Sequence, residues 1–334
     1  MVRYSFLAPL EGLFEKEAPV LASAKTIQLL VMRQTHDYTI FRTEETRELN
    51  IATLPRSATD PEAVLKVVFL ASKQKAPENR MYARLFKTYA EALGVELDPE
   101  VKACRLKDHL CRKCPRCVLF GAVVTEGGRG QDRWNIKHRV EYSSAYSIEP
   151  YEEISELITF NAVDPATQST GQALGATENV RPLAHFPTVI TLRSVTEEEL
   201  IWFMKTLMAT KSYGAETRVK GDVVNSIVGV AAGYEEIITS LEYNLEMAAR
   251  DWAGDPVAAT AEILGKYRGY AAFPDEVRVL TPKQLRELVE GVRSLKPDKE
   301  FIERLRDNAL HFAEKAAKYA GGESGGKGGR RRGR

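Results

Sequence analysis

A chain of 334 residues with 44% hydrophobic residues can bury one elaborated core or two ordinary ones, which excludes a wholly disordered protein. Its 47 lysines and arginines face 46 aspartates and glutamates, so the molecule is no polycation, and a nucleic-acid surface requires local segregation of charge. No basic stretch followed by an apolar one opens the chain and no apolar run is long enough for a bilayer, so a cytoplasmic location is expected.

Lys25 to Arg33 (KTIQLLVMR) is β-branched and apolar and Asp37 to Arg42 (DYTIFR) alternates, which predicts two strands joined by a turn at Thr35-His36. The polar stretch from Thr43 to Asp60 reads as a loop or an inserted hairpin. Val64 to Leu70 predicts a buried strand. Met81, Leu85, Tyr89 and Leu93 then recur at helical spacing, predicting a helix over Glu78 to Leu93 that Gly94 stops. After the cysteines, the alternation from Trp134 to Ile148 predicts an exposed strand or hairpin arm. Glu149 to Arg181 is a polar stretch with Ile154, Leu157, Ile158 and Phe160 as its main apolar residues, and predicts a mobile protrusion.

Pro187 to Arg193 predicts a strand, and Thr196 to Ala209 a helix capped by Thr196 with Glu199 at the capping-box position. Asp222 to Ala231 predicts another strand. Glu235 to Arg250, Val257 to Tyr267, Pro282 to Leu295 and Asp298 to Tyr319 are amphipathic and predict helices. The closing GGESGGKGGRRRGR has no apolar residue and cannot build a core. The expected organisation is a core over residues 1–232, interrupted by a zinc knuckle at 101–121 and an arm and protrusion at 125–181. A C-terminal helical region over 233–320 and a disordered basic tail over 321–334 follow. No solenoid-type repeat is present.

All four cysteines fall in one segment, Cys104, Cys111, Cys114 and Cys117, with His109 among them. Two-residue gaps let successive thiolates converge on one ion, and Pro115 stiffens the last turn. Zinc is favoured, in a closed structural site that uses four of the five candidates; spacing does not say which. An iron–sulfur cluster competes, since three close cysteines also occur in ferredoxin-like motifs. Unliganded or disulfide-bonded cysteines are the bland alternative, disfavoured in a reducing compartment. Arg105, Lys107, Arg112, Lys113 and Arg116 surround the site and would present positive charge on a small knuckle.

Leu119-Phe120-Gly121 after the cysteines, the turn Ala71-Ser72-Lys73-Gln74-Lys75, and the run from Lys211 to Thr217 (KSYGAET) resemble the repeat-associated CRISPR RNA-binding superfamily. With the knuckle and the helical C-terminus, the chain resembles the major backbone subunits of type I-D CRISPR interference complexes. The resemblance implies an RRM-like (ferredoxin-like) core with a thumb-like insertion, copies stacked with other subunits along a guide RNA, and no catalysis. The order of strands and helices independently predicts the α+β class, an antiparallel sheet covered by helices. The aromatic signature of RNA-recognition modules is absent, so binding through phosphates and sugars is expected rather than base stacking on the sheet.

The candidate RNA contacts form four groups. Lys73, Lys75 and Arg80 lie at a strand-to-helix turn, where helix amides and cations both attract phosphate. Arg33, Arg42, Arg47 and Arg56 flank the first strands, although ion pairs with Glu44, Glu45 and Glu48 are the plain alternative. Arg129, Arg133, Trp134, Lys137, His138 and Arg139 combine cations with an aromatic ring after Gly127-Gly128, which suits a single strand; Trp134 is equally suited to a core. Lys211, Tyr213, Arg218 and Lys220 surround Gly214 and Gly221, which permit close backbone approach. The arginines of the tail, Arg330 to Arg334, would add non-specific affinity. Two other functions fit the sequence less well. A metal-dependent ribonuclease of the same superfamily would need Glu44 and Glu45 to build an acidic loop, and a zinc-stabilised nucleic-acid binder outside CRISPR systems would lack a guide.

Overall fold

The structure, a computed structural model, describes residues 2–43, 48–105, 109–123, 134–160, 166–167, 175–215 and 220–324. Its central strand is β1 (Thr26–Thr35), buried on both faces over nearly its whole length, which is why its sequence is an almost continuous apolar run. It pairs antiparallel with β8 (His185–Arg193) on one side and with β9 (Val223–Gly233) on the other. β4 (Val140–Tyr142) extends the sheet beyond β8 and β10 (Arg278–Val279) extends it beyond β9, giving the order β10-β9-β1-β8-β4.

Alternation along β1 sends Ile27, Leu29 and Val31 to one face and Leu30 and Met32 to the other. The first face is covered by α1 (Ala71–Ala92), α5 (Glu197–Ala209), α8 (Pro282–Ser294) and α9 (Lys299–Ser324), through Tyr82, Phe86, Trp202, Leu288 and Phe301. The second is covered by α6 (Ser240–Ala248) and α7 (Pro256–Arg268), through Tyr243, Met247, Ile263 and Leu264. Each such buried side chain contributes about 1.5–3 kcal/mol of transfer free energy. Where α7 crosses β9, a Cβ on Gly229 would stand 2.5 Å from the Thr260 methyl, so only glycine lets the helix close on the sheet. Both faces being roofed, the sheet offers no open platform for stacked bases.

A third cluster, with Phe41 stacked on Phe69 at 3.9 Å, lies under the sheet formed by β2 (Ile51–Pro55), β3 (Ala63–Phe69) and β5 (Ala145–Tyr146). From it projects the two-stranded ribbon of β6 (Ser155–Phe160) and β7 (Gly175–Val180), preceded by the short α4 (Tyr151–Ile154). Among the described residues no helix is long and apolar enough to cross a membrane.

The mixed α+β architecture, the antiparallel pairing and the C-terminal helices are as expected, and the Thr196–Glu199 capping box is formed in full. Several elements differ. Asp37 to Arg42 is no strand: among the described residues only Thr39 bridges to Val180, while Phe41 inserts into the third core and Ile40 is buried beside it in the chain. The stretch expected as a loop or inserted hairpin supplies one strand, β2, which pairs with β3, the strand expected at Val64 to Leu70. α1 starts at Ala71 rather than Glu78 and runs through Pro77, so the expected Ala71–Lys75 turn is its first turn. The arm expected over Trp134 to Ile148 splits into β4, which pairs with β8, and β5, which pairs with β3. α6 starts at Ser240 because Thr239 caps it, while Glu235 accepts from the backbone N–H groups of Ala272 and Phe273 instead of starting a helix. The two-residue β10 lacks any periodic signal and was not expected.

Candidate metal centre and nucleic-acid surface

Asp98 caps α2 (Pro99–Ala103), which ends at Cys104, and Cys114 caps α3 (Pro115–Phe120) with its own sulfur, accepting from the Cys117 N–H at 3.4 Å. The intervening loop turns at Arg112, whose φ of 59° is left-handed. This brings the Sγ atoms of Cys104, Cys111, Cys114 and Cys117 within 4.8 Å of one another. Cys104 Sγ lies 3.6 Å from Cys117 Sγ and 3.7 Å from Cys114 Sγ, far beyond the roughly 2.05 Å of a disulfide. Four sulfurs about 2.3 Å from one central ion in a tetrahedron stand about 3.8 Å apart, so the separations suit such an ion.

Main-chain N–H groups of Cys111 and Lys113 donate to Cys104 Sγ at 3.5 Å and Cys111 Sγ at 3.4 Å, and Arg116 Nη1 donates to Cys117 Sγ at 3.5 Å. The thiols of Cys111 and Cys114 donating to Cys104 and Cys117 hold these two below the ordinary thiol value, Cys104 at about 7, and are themselves held above it. His109 is exposed and turned to Arg105, outside the sulfur cluster, so it is the spare candidate. The knuckle is also no free-standing knob. Val118, Leu119 and Phe120 of α3 are buried in the main core, against α1 and α9.

Beside this centre, cations collect. Lys73 and Lys75 are half-buried on the first turn of α1, Arg80 and Arg84 are exposed one and two turns on, and Lys137 and His138 are exposed on the segment leading to β4. Burial and then the charge of Arg116 hold the Lys75 ammonium below its usual pKa, and burial and then Arg84 do so for Arg80. His138 is lowered by burial first and next by Lys75, with Lys137 adding and Glu141 opposing. These mutual effects put Lys75 of α1 near Lys137 and His138, with Glu141 the carboxylate among them, while Arg80 and Arg84 neighbour each other further along α1. Arg84 is not among the expected contacts, although its i+4 spacing from Arg80 lies within the helix already expected over Glu78 to Leu93.

A profile of the Csc2 CRISPR family matches residues 13–304. The chain belongs to the Csc2 CRISPR family. Its fold is that of the crystal structure of Thermofilum pendens Csc2, with a TM-score of 0.68 at 21% identity over 98% of this chain and 100% of that one. A chain of a CRISPR RNA-guided surveillance complex in its pre-nicking state is more distantly similar, with a TM-score of 0.48 at 9% identity over 74% of this chain and 88% of that one. No curated protein matches the chain.

Within this Csc2-family fold, several expected RNA contacts are structural. Arg33 is fully buried and donates to Glu78 and to Asn225, each at 2.7 Å. Arg139 is 5% exposed and holds Glu199 through both carboxylate oxygens while donating to Ser194 O at 2.9 Å. Tyr213 is a core ring packed edge-on against Phe69, its hydroxyl donating to Glu78 at 2.8 Å. These three were expected at the surface because sequence shows a side chain's charge but not its distant partner. Trp134 is half-buried beneath the Arg112 guanidinium, 4.6 Å from its ring centre. Arg56 is exposed but paired with Glu62 at 2.7 Å, and Lys220 with Asp222 at 2.6 Å. Lys211 is exposed and Arg42 half-buried.

Gly214 and Gly221 do permit close approach, but of this chain: a Cβ on Gly221 would stand 2.0 Å from Tyr213 O. The knuckle charges are largely engaged, Lys113 with Glu100 at 2.9 Å and Arg116 with Asn79 at 2.5 Å. Arg47, Arg129, Arg133 and Arg218 lie outside the described residues, as do Glu44, Glu45, Lys107 and the tail arginines Arg330 to Arg334.

Proposed function

We propose that this Csc2-family chain is a non-catalytic backbone subunit of a type I-D interference complex, holding single-stranded guide RNA by its phosphates, with copies of itself and other subunits alongside. The observation that carries this is the gathering of Lys75, Lys137 and His138, with Lys73, Arg80 and Arg84 on the same helix as Lys75, taken with membership of a CRISPR family. Cations without an open aromatic platform suit a guide of any sequence, which must be held through its backbone. The sheet order supports an RRM-like reading of the core: β1, α1, β4, β8, α5 and β9 follow one another with strands arranged β9-β1-β8-β4, the ferredoxin-like pattern.

In this reading Cys104, Cys111, Cys114 and Cys117 hold a structural zinc ion that ties α2 and the loop to α3. Among the described residues this sulfur set is the group able to hold a metal, and sulfur does not suit the magnesium of phosphodiester hydrolysis. Unpaired thiols held for a metal also suit a reducing, cytoplasmic setting. The test is RNA co-purified with the protein from its native host. Fragments of uniform length sharing a repeat-derived end support the proposal, and RNA of random length and sequence would refute it.

A further inference from the structure

β9 is paired with β1 along its inner edge, but along its outer edge only towards its ends. At one end Ala231 and Ala232 pair with β10 and Val230 O accepts from the Leu280 N–H; at the other the Val223 N–H donates to Lys211 O at 2.8 Å. No described residue pairs with the outer edge from Val224 to Gly229. At Val224 to Ile227 that edge opens on a cleft of about 560 Å³ between α1, α5 and α8. Trp202, Met208 and Val289 give it apolar walls, and Lys205, Lys211 and Arg293 surround them, with no carboxylate in the lining. Lys205 reaches only Arg293 O, at 3.4 Å, and burial lowers its pKa. Outside the cleft, Arg293 meets the exposed Glu290 at 3.6 Å.

We propose that this cleft receives an extended acidic peptide from a partner protein, added as a short strand on the outer edge of β9 between Lys211 and β10. A free edge presents N–H and C=O groups alternately, and a second peptide backbone satisfies both. The four edge residues that line the cleft span about 13 Å, so the paired part of the occupant is about four residues. Every second side chain of such a strand points to the α5–α8 side, where Lys205, Lys211 and Arg293 surround the apolar walls, so acidic groups are expected at those alternate positions. The site shares no side chain with the surface assigned to RNA, and it stands whether or not that assignment does.

The test uses the full chain and a fluorescent, end-capped hexapeptide alternating glutamate with leucine, followed by anisotropy. Saturable binding is expected, with a lysine–leucine peptide at least tenfold weaker. Of two peptides N-methylated on alternate amides, one should lose at least tenfold and the other bind as before, because only one edge pairs. Lys205→Glu combined with Arg293→Glu should weaken the glutamate peptide at least tenfold, and Lys211→Glu alone should act in the same direction, with circular dichroism unchanged. No saturable binding, equal binding of the lysine peptide, or indifference to N-methylation on both edges would overturn the proposal. So would displacement of the peptide by single-stranded RNA with a sensitivity to Lys75 and Arg80 substitutions, since the cleft would then belong to the nucleic-acid surface.

Discussion

Arg33 and Glu78 meet at 2.7 Å, and neither side chain is exposed at all. The hydroxyls of Tyr142 and Tyr213 donate to the same carboxylate at 2.6 and 2.8 Å, and the Asn225 amide donates to the Tyr213 hydroxyl at 2.8 Å. One buried polar knot therefore ties β1, α1, β4, β9 and the loop after α5. It anchors α1 at Glu78, three residues beyond Lys75.

Removing one partner of such a pair strands a buried charge. Glu78→Ala should cost about 3–5 kcal/mol, which urea denaturation measures as a lower midpoint at unchanged slope. A loss below about 1 kcal/mol would mean that water reaches Arg33.

The salt dependence of RNA binding separates contacts from bystanders. Replacing Lys75, Arg80, Arg84 or Lys137 by alanine should each lower the logarithmic salt slope by about 0.7, the single-strand value per phosphate contact. Arg56→Ala and Lys220→Ala remove cations already paired with carboxylates and should leave the slope as it is. Anisotropy over a salt series, on pyrimidine-rich and purine-rich oligonucleotides alike, checks both groups. A strong preference for one base composition would contradict backbone binding.

His138 reports on the same surface through pH. Its pKa in the free protein lies below the ordinary histidine value because of burial and then Lys75. Acid therefore favours the unfolded chain as pH falls through about 6.5. A phosphate bound among these cations offsets their repulsion and raises the His138 pKa, so binding takes up a proton. Affinity should rise as pH falls from about 7.5 to about 5.5, and His138→Ala should flatten that rise. The imidazole resonances, followed by NMR with and without RNA, give the shift directly; a lower pKa in the complex would place the RNA elsewhere.

Elemental analysis of protein purified without added metal should give one zinc per chain, and X-ray absorption four sulfur neighbours at about 2.3 Å. Cys117→Ser should lower both metal content and the melting temperature, because Cys117 leads into Val118, Leu119 and Phe120 of the main core. His109→Ala should change neither. Iron with bridging sulfide, or a nitrogen ligand that vanishes with His109, would contradict the four-sulfur site.

Local chemistry determined what the sequence determined alone. Two-residue gaps between cysteines bring thiolates together whatever surrounds them. Thr196 and Glu199 close a capping box within one turn, and the apolar runs at 25–33, 187–193 and 222–231 become strands because both faces of the sheet are roofed. The tertiary structure decided everything that depends on a distant partner. Arg33 and Arg139 look like surface cations until Glu78, 45 residues away, and Glu199, 60 residues away, arrive beside them. Gly221 looks like a place for RNA until the chain folds back on Tyr213 O. His109 is a ligand by neighbourhood and a bystander by direction. The open edge of β9 exists only because β10 stops after two residues, and spacing along the chain carries no trace of where a neighbouring strand ends.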